Sequence, residues 1–514
     1  MTDARPEFRR RAGVLLHPTS LPGPDGIGDL GAEAYRWIDW LAEHAQSLWQ
    51  VLPLGPTSFG DSPYQTLSAF AGNPLLVSLD RLAQRGWLTP ADLAARPALP
   101  VDRVDYGPVI TWKTTMLDLA WQRARASAAA ELEAWGRRHA WLEDFVLFWA
   151  LKEDQGGRPW VAWPAELRDR EPAALAAART RLAPRLEAHR FRQWQFFTQW
   201  QELKLYAQAR DVAVMGDLPI FVAYDSADVW ANRSLFRLDA EGRPTHVAGV
   251  PPDYFSDTGQ LWGNPLYDWT RSAADGHAWW AARVRTALEL CDLLRIDHFR
   301  GFEAYWEVPA GETTAVNGAW RPGPGAAFFT ALQASLGGRL PLVAEDLGVI
   351  TPGVEALREG TGLPGMKVLQ FAFDDPCNAF LPHRHQANCV VYTGTHDNDP
   401  TRGWWEHRAT DGEKRLVAEY AGAPADEPHW TLIRLGMLSP AHTFIAPLQD
   451  VLGLGREARM NLPGEGAGNW NWRMPADAFT HPGGPRLARL TWLGARRPDQ
   501  TRPTPPVGST ERTA

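Results

Sequence analysis

Eight short apolar runs recur along the chain, at residues 13–16, 49–54, 212–220, 293–298, 342–346, 367–373, 389–393 and 443–447, and each leads into a polar or Gly/Pro-rich tip. Between them lie stretches with helical spacing. After the first run comes the loop His17-Pro-Thr-Ser-Leu-Pro-Gly-Pro, and residues 32–46 then place Ala34, Ile38, Leu41 and Ala45 on one helix face. Strand, loop, helix, strand is a βαβ unit and implies parallel strands. Eight such units with acids at the strand ends predict an α/β fold, the TIM (β/α)8 barrel.

The densest of these tips is residues 293–301, Leu-Leu-Arg-Ile-Asp-His-Phe-Arg-Gly. On a strand, Arg295 and Asp297 point the same way. A carboxylate beside a guanidinium is held ionised, which suits a nucleophile or an electrostatic stabiliser and not a general acid. An acid must then come from another strand end. Glu345 and Asp397 follow at intervals of 48 and 52 residues, one and two βα steps along the ring, so the three carboxylates converge on one mouth with Arg295 and His396. Any one of them alone is explained as a helix cap or salt-bridge partner. Metal binding is the chemical rival, since carboxylates and histidines hold Mg or Zn. Arg295 beside the proposed ligand argues against it, and no metal is expected.

At 514 residues and 45% hydrophobic, the chain exceeds what one barrel needs. The expectation is one catalytic unit over 1–495 with insertions. These are a helical insert at about 79–208, whose charges form a solvated face, and a lid segment at about 226–270; a disordered tail follows over 496–514, rich in Pro, Thr and Arg. Net charge is -8 with Lys and Arg dispersed, which leaves no nucleic-acid footprint. Three distant cysteines fit a reducing cytoplasm, and neither a signal peptide nor a membrane span is evident. Twenty-six Trp against 10 Tyr admit two readings: rings exposed in a sugar-binding cleft, or rings filling the core.

The motifs Arg-Ile-Asp297-His-Phe-Arg-Gly, Ala-Glu345-Asp-Leu-Gly, Tyr-Thr-Gly-Thr-His396-Asp397-Asn and Gly-Asp217-Leu-Pro-Ile-Phe, with the loop Pro-Pro-Asp-Tyr254-Phe255-Ser-x-x-Gly-Gln-Leu-Trp262-Gly-Asn-Pro, closely resemble the amylomaltases, bacterial 4-alpha-glucanotransferases related to the alpha-amylases. The likeness runs from about residue 13 to 474. It implies a TIM barrel with inserted subdomains, no cofactor, and glucan transfer by a retaining mechanism. Malto-oligosaccharides, amylose or starch-derived glucans would be donors, and glucose or a glucan the acceptor. By the same resemblance Asp297 matches the nucleophile, Glu345 the acid/base, and Asp397 with His396 the pair that grips sugar hydroxyls. Tyr64 and Asp217 match first-subsite contacts, Tyr254, Phe255 and Trp262 the lid over the acceptor side, and Asn461 a donor-side contact. The alternative is an amylase-type hydrolase of the same substrates. A monomer is expected.

Overall fold

Strands covered on both faces read as nearly continuous apolar runs, and each of the eight expected runs contributes one. The computed structural model describes residues 10–252 and 256–497. The strands are β1 (Arg11–Leu15), β2 (Leu48–Gln50), β3 (Ala213–Pro219), β4 (Leu293–Asp297), β5 (Leu342–Ala344), β6 (Gly365–Val368), β7 (Cys389–Tyr392) and β8 (Thr443–Pro447). All pair in parallel, in the order β6-β7-β8-β1-β2-β3-β4-β5. The Ala344 N–H donates to the Pro364 carbonyl at 2.9 Å and joins the two ends of that row into a ring. This is the TIM barrel.

In the β3–β4 register Asp217 lies opposite Arg295 and Pro219 opposite Asp297, so the charged tips of neighbouring strands meet side by side. Gly216 allows that close approach, because a Cβ there would lie 2.4 Å from Cys291 Sγ.

The helix Ala183–Gln208 packs on β3 and buries Trp200, Leu203 and Ala207, with the Trp200 indole donating to the Leu290 carbonyl at 2.7 Å. It is an outer helix of the barrel, so the insert expected to run through 208 ends before it. An unbroken Ala/Arg/Trp composition hides that junction. Two long helices, Tyr106–Gly136 and Leu142–Asp154, pack across its outer side. Nor is every charge in this region solvated. Lys113 is fully buried between Asp25 (3.3 Å) and Asp29 (3.1 Å), and Arg192 and His189 are buried beside Asp118 and Glu153. These helices are clamped to the first barrel loop and to each other by ion pairs, which composition alone does not reveal.

The 226–270 segment is more regular than a loop. Its strands His246–Val250 and Gln260–Pro265 form an antiparallel sheet with Ala304–Pro309 and Ala319–Pro322, in the order 260-246-304-319. The insertions are therefore not all helical. The sheet is hard to read because Gly249 and Gly263 interrupt two strands and every residue of Ala319–Pro322 is exposed, so apolar alternation is weak.

At the other end of the chain, Arg496 was expected to open the tail. It is instead fully buried, and its guanidinium donates to the carbonyls of Arg11, Gly436, Met437, Ser439, Ala441 and His442. The fold therefore includes it. Of the tryptophans, only Trp320 and Trp492 are exposed, so the core reading of that composition holds for most of them. No helix among the described residues is long and apolar enough to cross a membrane.

Candidate active site

β4 ends by delivering Arg295 and Asp297 to the barrel mouth on one side of the strand. Arg295 is buried, and its Nη1 lies 2.8 Å from both oxygens of Asp217 and 2.9 Å from Asp297 Oδ1. Burial opposes the charge on this guanidinium, and the Asp217 and Asp297 carboxylates more than restore it, so its pKa stands well above the ordinary value. Asp297 keeps 29% of its side chain exposed, whereas that of Asp217 is fully enclosed. The Tyr64 hydroxyl donates to Asp217 Oδ2 at 2.8 Å. Asp217 thus orients Arg295 and Tyr64 and has no open face toward the cleft.

Glu345 stands one residue beyond β5. Its Oε2 accepts the His298 N–H at 2.7 Å and its Oε1 the Leu347 N–H at 2.8 Å. His298 reaches that position through a left-handed backbone, φ 53° and ψ 50°, which turns its N–H back from the end of β4 toward the β5 carboxyl. Burial pushes Glu345 up to about 7; Arg295 opposes the rise and Asp297 adds to it. The two carboxyls therefore differ in kind. Asp297 is ion-paired and accessible, while Glu345 is enclosed and holds its proton near neutrality.

Asp397 lies on the loop after β7, with 42% of its side chain exposed. His396 Nε2 is 3.3 Å from its Oδ2, and Asn461 Nδ2 donates to its Oδ1 at 2.6 Å. Tyr64 stacks on the His396 ring with centroids 5.1 Å apart, and Trp470 tilts against both. Trp262 is half-buried on the antiparallel sheet, where it meets the His298 ring edge-on at 4.8 Å and Phe221 at 6.4 Å. Tyr254 and Phe255 lie outside the described residues. Sequence reasoning missed Trp470 and Arg459, which hold this side of the mouth together. The run Gly-Asn-Trp470-Asn-Trp, a polar aromatic cluster ahead of the last helix, is the signal that points to the first; Arg459 has none.

The site's chemistry agrees with what the chain resembles. The 4-alpha-glucanotransferase family model matches residues 16–478. A 4-alpha-glucanotransferase of Synechocystis sp. is 52% identical over 498 residues, which is 95% of this chain and 98% of that protein. The Thermus thermophilus 4-alpha-glucanotransferase is also 52% identical, over 94% of this chain and 98% of its own length. Among solved structures, the amylomaltase of Streptococcus agalactiae in complex with acarbose superposes with a TM-score of 0.93 at 38% identity, over 95% of this chain and all of that one. With identity of this order across the barrel and all its insertions, the chain belongs to the 4-alpha-glucanotransferase family.

Proposed function

We propose that this 4-alpha-glucanotransferase moves α-1,4-glucan segments by double displacement through a glycosyl ester on Asp297. Asp297 attacks the anomeric carbon of the donor while Glu345 gives its proton to the departing glycosidic oxygen, releasing the trailing sugar with a new 4-OH. An acceptor 4-OH then attacks the same carbon from the vacated side, Glu345 takes its proton back, and the ester to Asp297 breaks. Two inversions leave the α configuration unchanged. The observation that carries this reading is the divergence of the two carboxyls, Asp297 held by Arg295 at 2.9 Å and Glu345 pushed up to about 7 by burial.

Asp397, steadied by His396 and Asn461, is assigned to the hydroxyls of the sugar at the reacting centre, where bonds that tighten as the ring flattens stabilise the oxocarbenium-like transition state. Tyr64, stacked on His396, supplies an aromatic wall beside it. The reading takes malto-oligosaccharides, amylose or starch-derived glucans as donors and glucose or a glucan as acceptor. It requires no cofactor and has the chain act as a cytoplasmic monomer. The acarbose bound to the Streptococcus agalactiae amylomaltase supports the substrate class.

Maltotriose tests it. The enzyme should build a ladder of longer sugars with release of glucose, and Asp297→Asn, which cannot form the ester, should lose at least about four decades of rate, or about 5.4 kcal/mol of barrier. The kcat/KM should fall above about pH 7, as Glu345 loses its proton. Shorter sugars alone would mean hydrolysis, and Asp297→Asn within tenfold of wild type would remove the nucleophile assignment.

A further inference from the structure

A carboxylate that must match a transition state to a fraction of an ångström sits here on a loop, with much of its surface in solvent. Something must hold the loop, since misplacement by about 1 Å costs on the order of a hundredfold in rate. Its two ends are tied to one buried acid. Asp450 accepts from the Thr393 hydroxyl at 2.5 Å and from the Thr401 N–H and hydroxyl at 2.6 and 2.7 Å. Asp397 lies midway between these ends, and what reaches the middle is Arg459.

The Arg459 guanidinium, 11% exposed, places its three nitrogens on three separate acceptors. Nη1 lies 2.7 Å from Asp399 Oδ1, Nε donates to the Asn461 carbonyl at 2.6 Å, and Nη2 donates to the Asp397 carbonyl. Asp399 has a fully buried side chain and is held on its other oxygen by Arg408 at 2.6 Å. The Asn461 N–H also donates to the His396 carbonyl at 3.1 Å, and its side chain donates to Asp397 Oδ1 at 2.6 Å. One planar fork therefore fixes the backbone of Asp397 and that of its hydrogen-bond donor in a single frame.

We infer that Arg459, anchored by Asp399, is a positioning residue for Asp397: it locks the loops after β7 and β8 together so that Asn461 presents Asp397 to the sugar in one orientation. The inference rests on the transfer reading above. Arg459 touches no reacting atom in this account, and a lysine cannot replace it, because a single ammonium point charge lacks the guanidinium's fixed fork.

The test is kinetic. Arg459→Lys should lower kcat for maltotriose disproportionation about a hundredfold while KM stays within about threefold, because an orientation needed only in the transition state is lost. Asp399→Asn should shift kcat the same way without moving KM. Arg459→Lys and Asn461→Ala act through one carboxylate, so the double variant should fall within about threefold of the worse single. A folded Arg459→Lys with kcat within threefold of wild type, or single-variant losses that multiply, would overturn the inference, as would a rise in KM at constant kcat. Should Arg459→Lys not fold, Asp399→Asn carries the same expectations and the same refutations. Wild type run in the same assay keeps the two levels apart: a failed transfer reading shows in wild type, a failed positioning role only in the variants.

Discussion

A carboxyl buried deeply enough to titrate near pH 7 costs the fold stability once it ionises, and at the residue scale this has a sign that can be checked. Glu345 moves from 4.5 to about 7, chiefly through burial. The stability tied to its protonated form is fully present below pH 4.5 and is lost as pH rises through 7, because the unfolded chain gives up its proton first. At 1.36 kcal/mol per unit the loss is about 3 kcal/mol at most. Glu345→Gln removes the ionisation and keeps an oxygen for a backbone N–H, so the inactive variant should melt higher than wild type at pH 8 and show no such advantage at pH 4. Thermal melts at the two pH values decide it, and an equal or lower melting temperature at pH 8 would contradict the burial argument. Asp297, Glu345 and Asp397 stand out in the sequence because three acids at the ends of apolar runs converge on one mouth beside Arg295, although any one of them alone reads as a cap or an ion-pair partner. Arg459 does not, since its partners are two backbone carbonyls and an acid 60 residues away, and such bonds carry no local pattern.

At the scale of elements, the antiparallel sheet is the part that departs most from its sequence reading, and it is the part expected to choose between water and sugar. Both attackers use the same ester and the same base, so the preference must come from binding the acceptor and excluding solvent. Trp262 lies on the strand Gln260–Pro265, its ring against His298, whose N–H holds Glu345. Trp262→Ala should raise the hydrolysis-to-transfer ratio about three- to tenfold, equivalent to 0.7–1.4 kcal/mol, while total donor cleavage falls less. Free glucose and reducing ends, compared with total chain rearrangement on maltotriose, give that ratio. If it does not change, acceptor preference lies in the barrel loops. A strand with glycine in its middle and an edge strand wholly in solvent lack the alternation by which strands are read, so two of these strands read only as part of a lid segment and Ala304–Pro309 and Ala319–Pro322 do not read at all.

For the whole molecule, the barrel was readable because its strands are buried on both faces, which turns each into an apolar run with a polar exit. The limits of the fold were less readable, since a terminal arginine looks like tail. Arg496 serves six backbone carbonyls around the N-terminal strand and the segment that leads into β8. Burial lowers its pKa to about 9. Arg496→Ala would take one donor from each of these carbonyls, three of which Arg10 also serves, and would open a cavity, so it should destabilise by about 3 kcal/mol or more with kcat/KM at 25 °C little changed. Unfolding in denaturant measures this, and a change below 1 kcal/mol would contradict the assignment. The larger claim is that barrel closure turns acids from three separate strands into one glycosyl-transferring site. Glu345→Gln offered an α-glucosyl fluoride, whose leaving group needs little protonation, isolates the step that claim depends on. Mass spectrometry of the quenched, digested protein should find one glucosyl unit on the peptide that contains Asp297. A folded variant that carries no adduct, or carries it on another residue, would contradict the account.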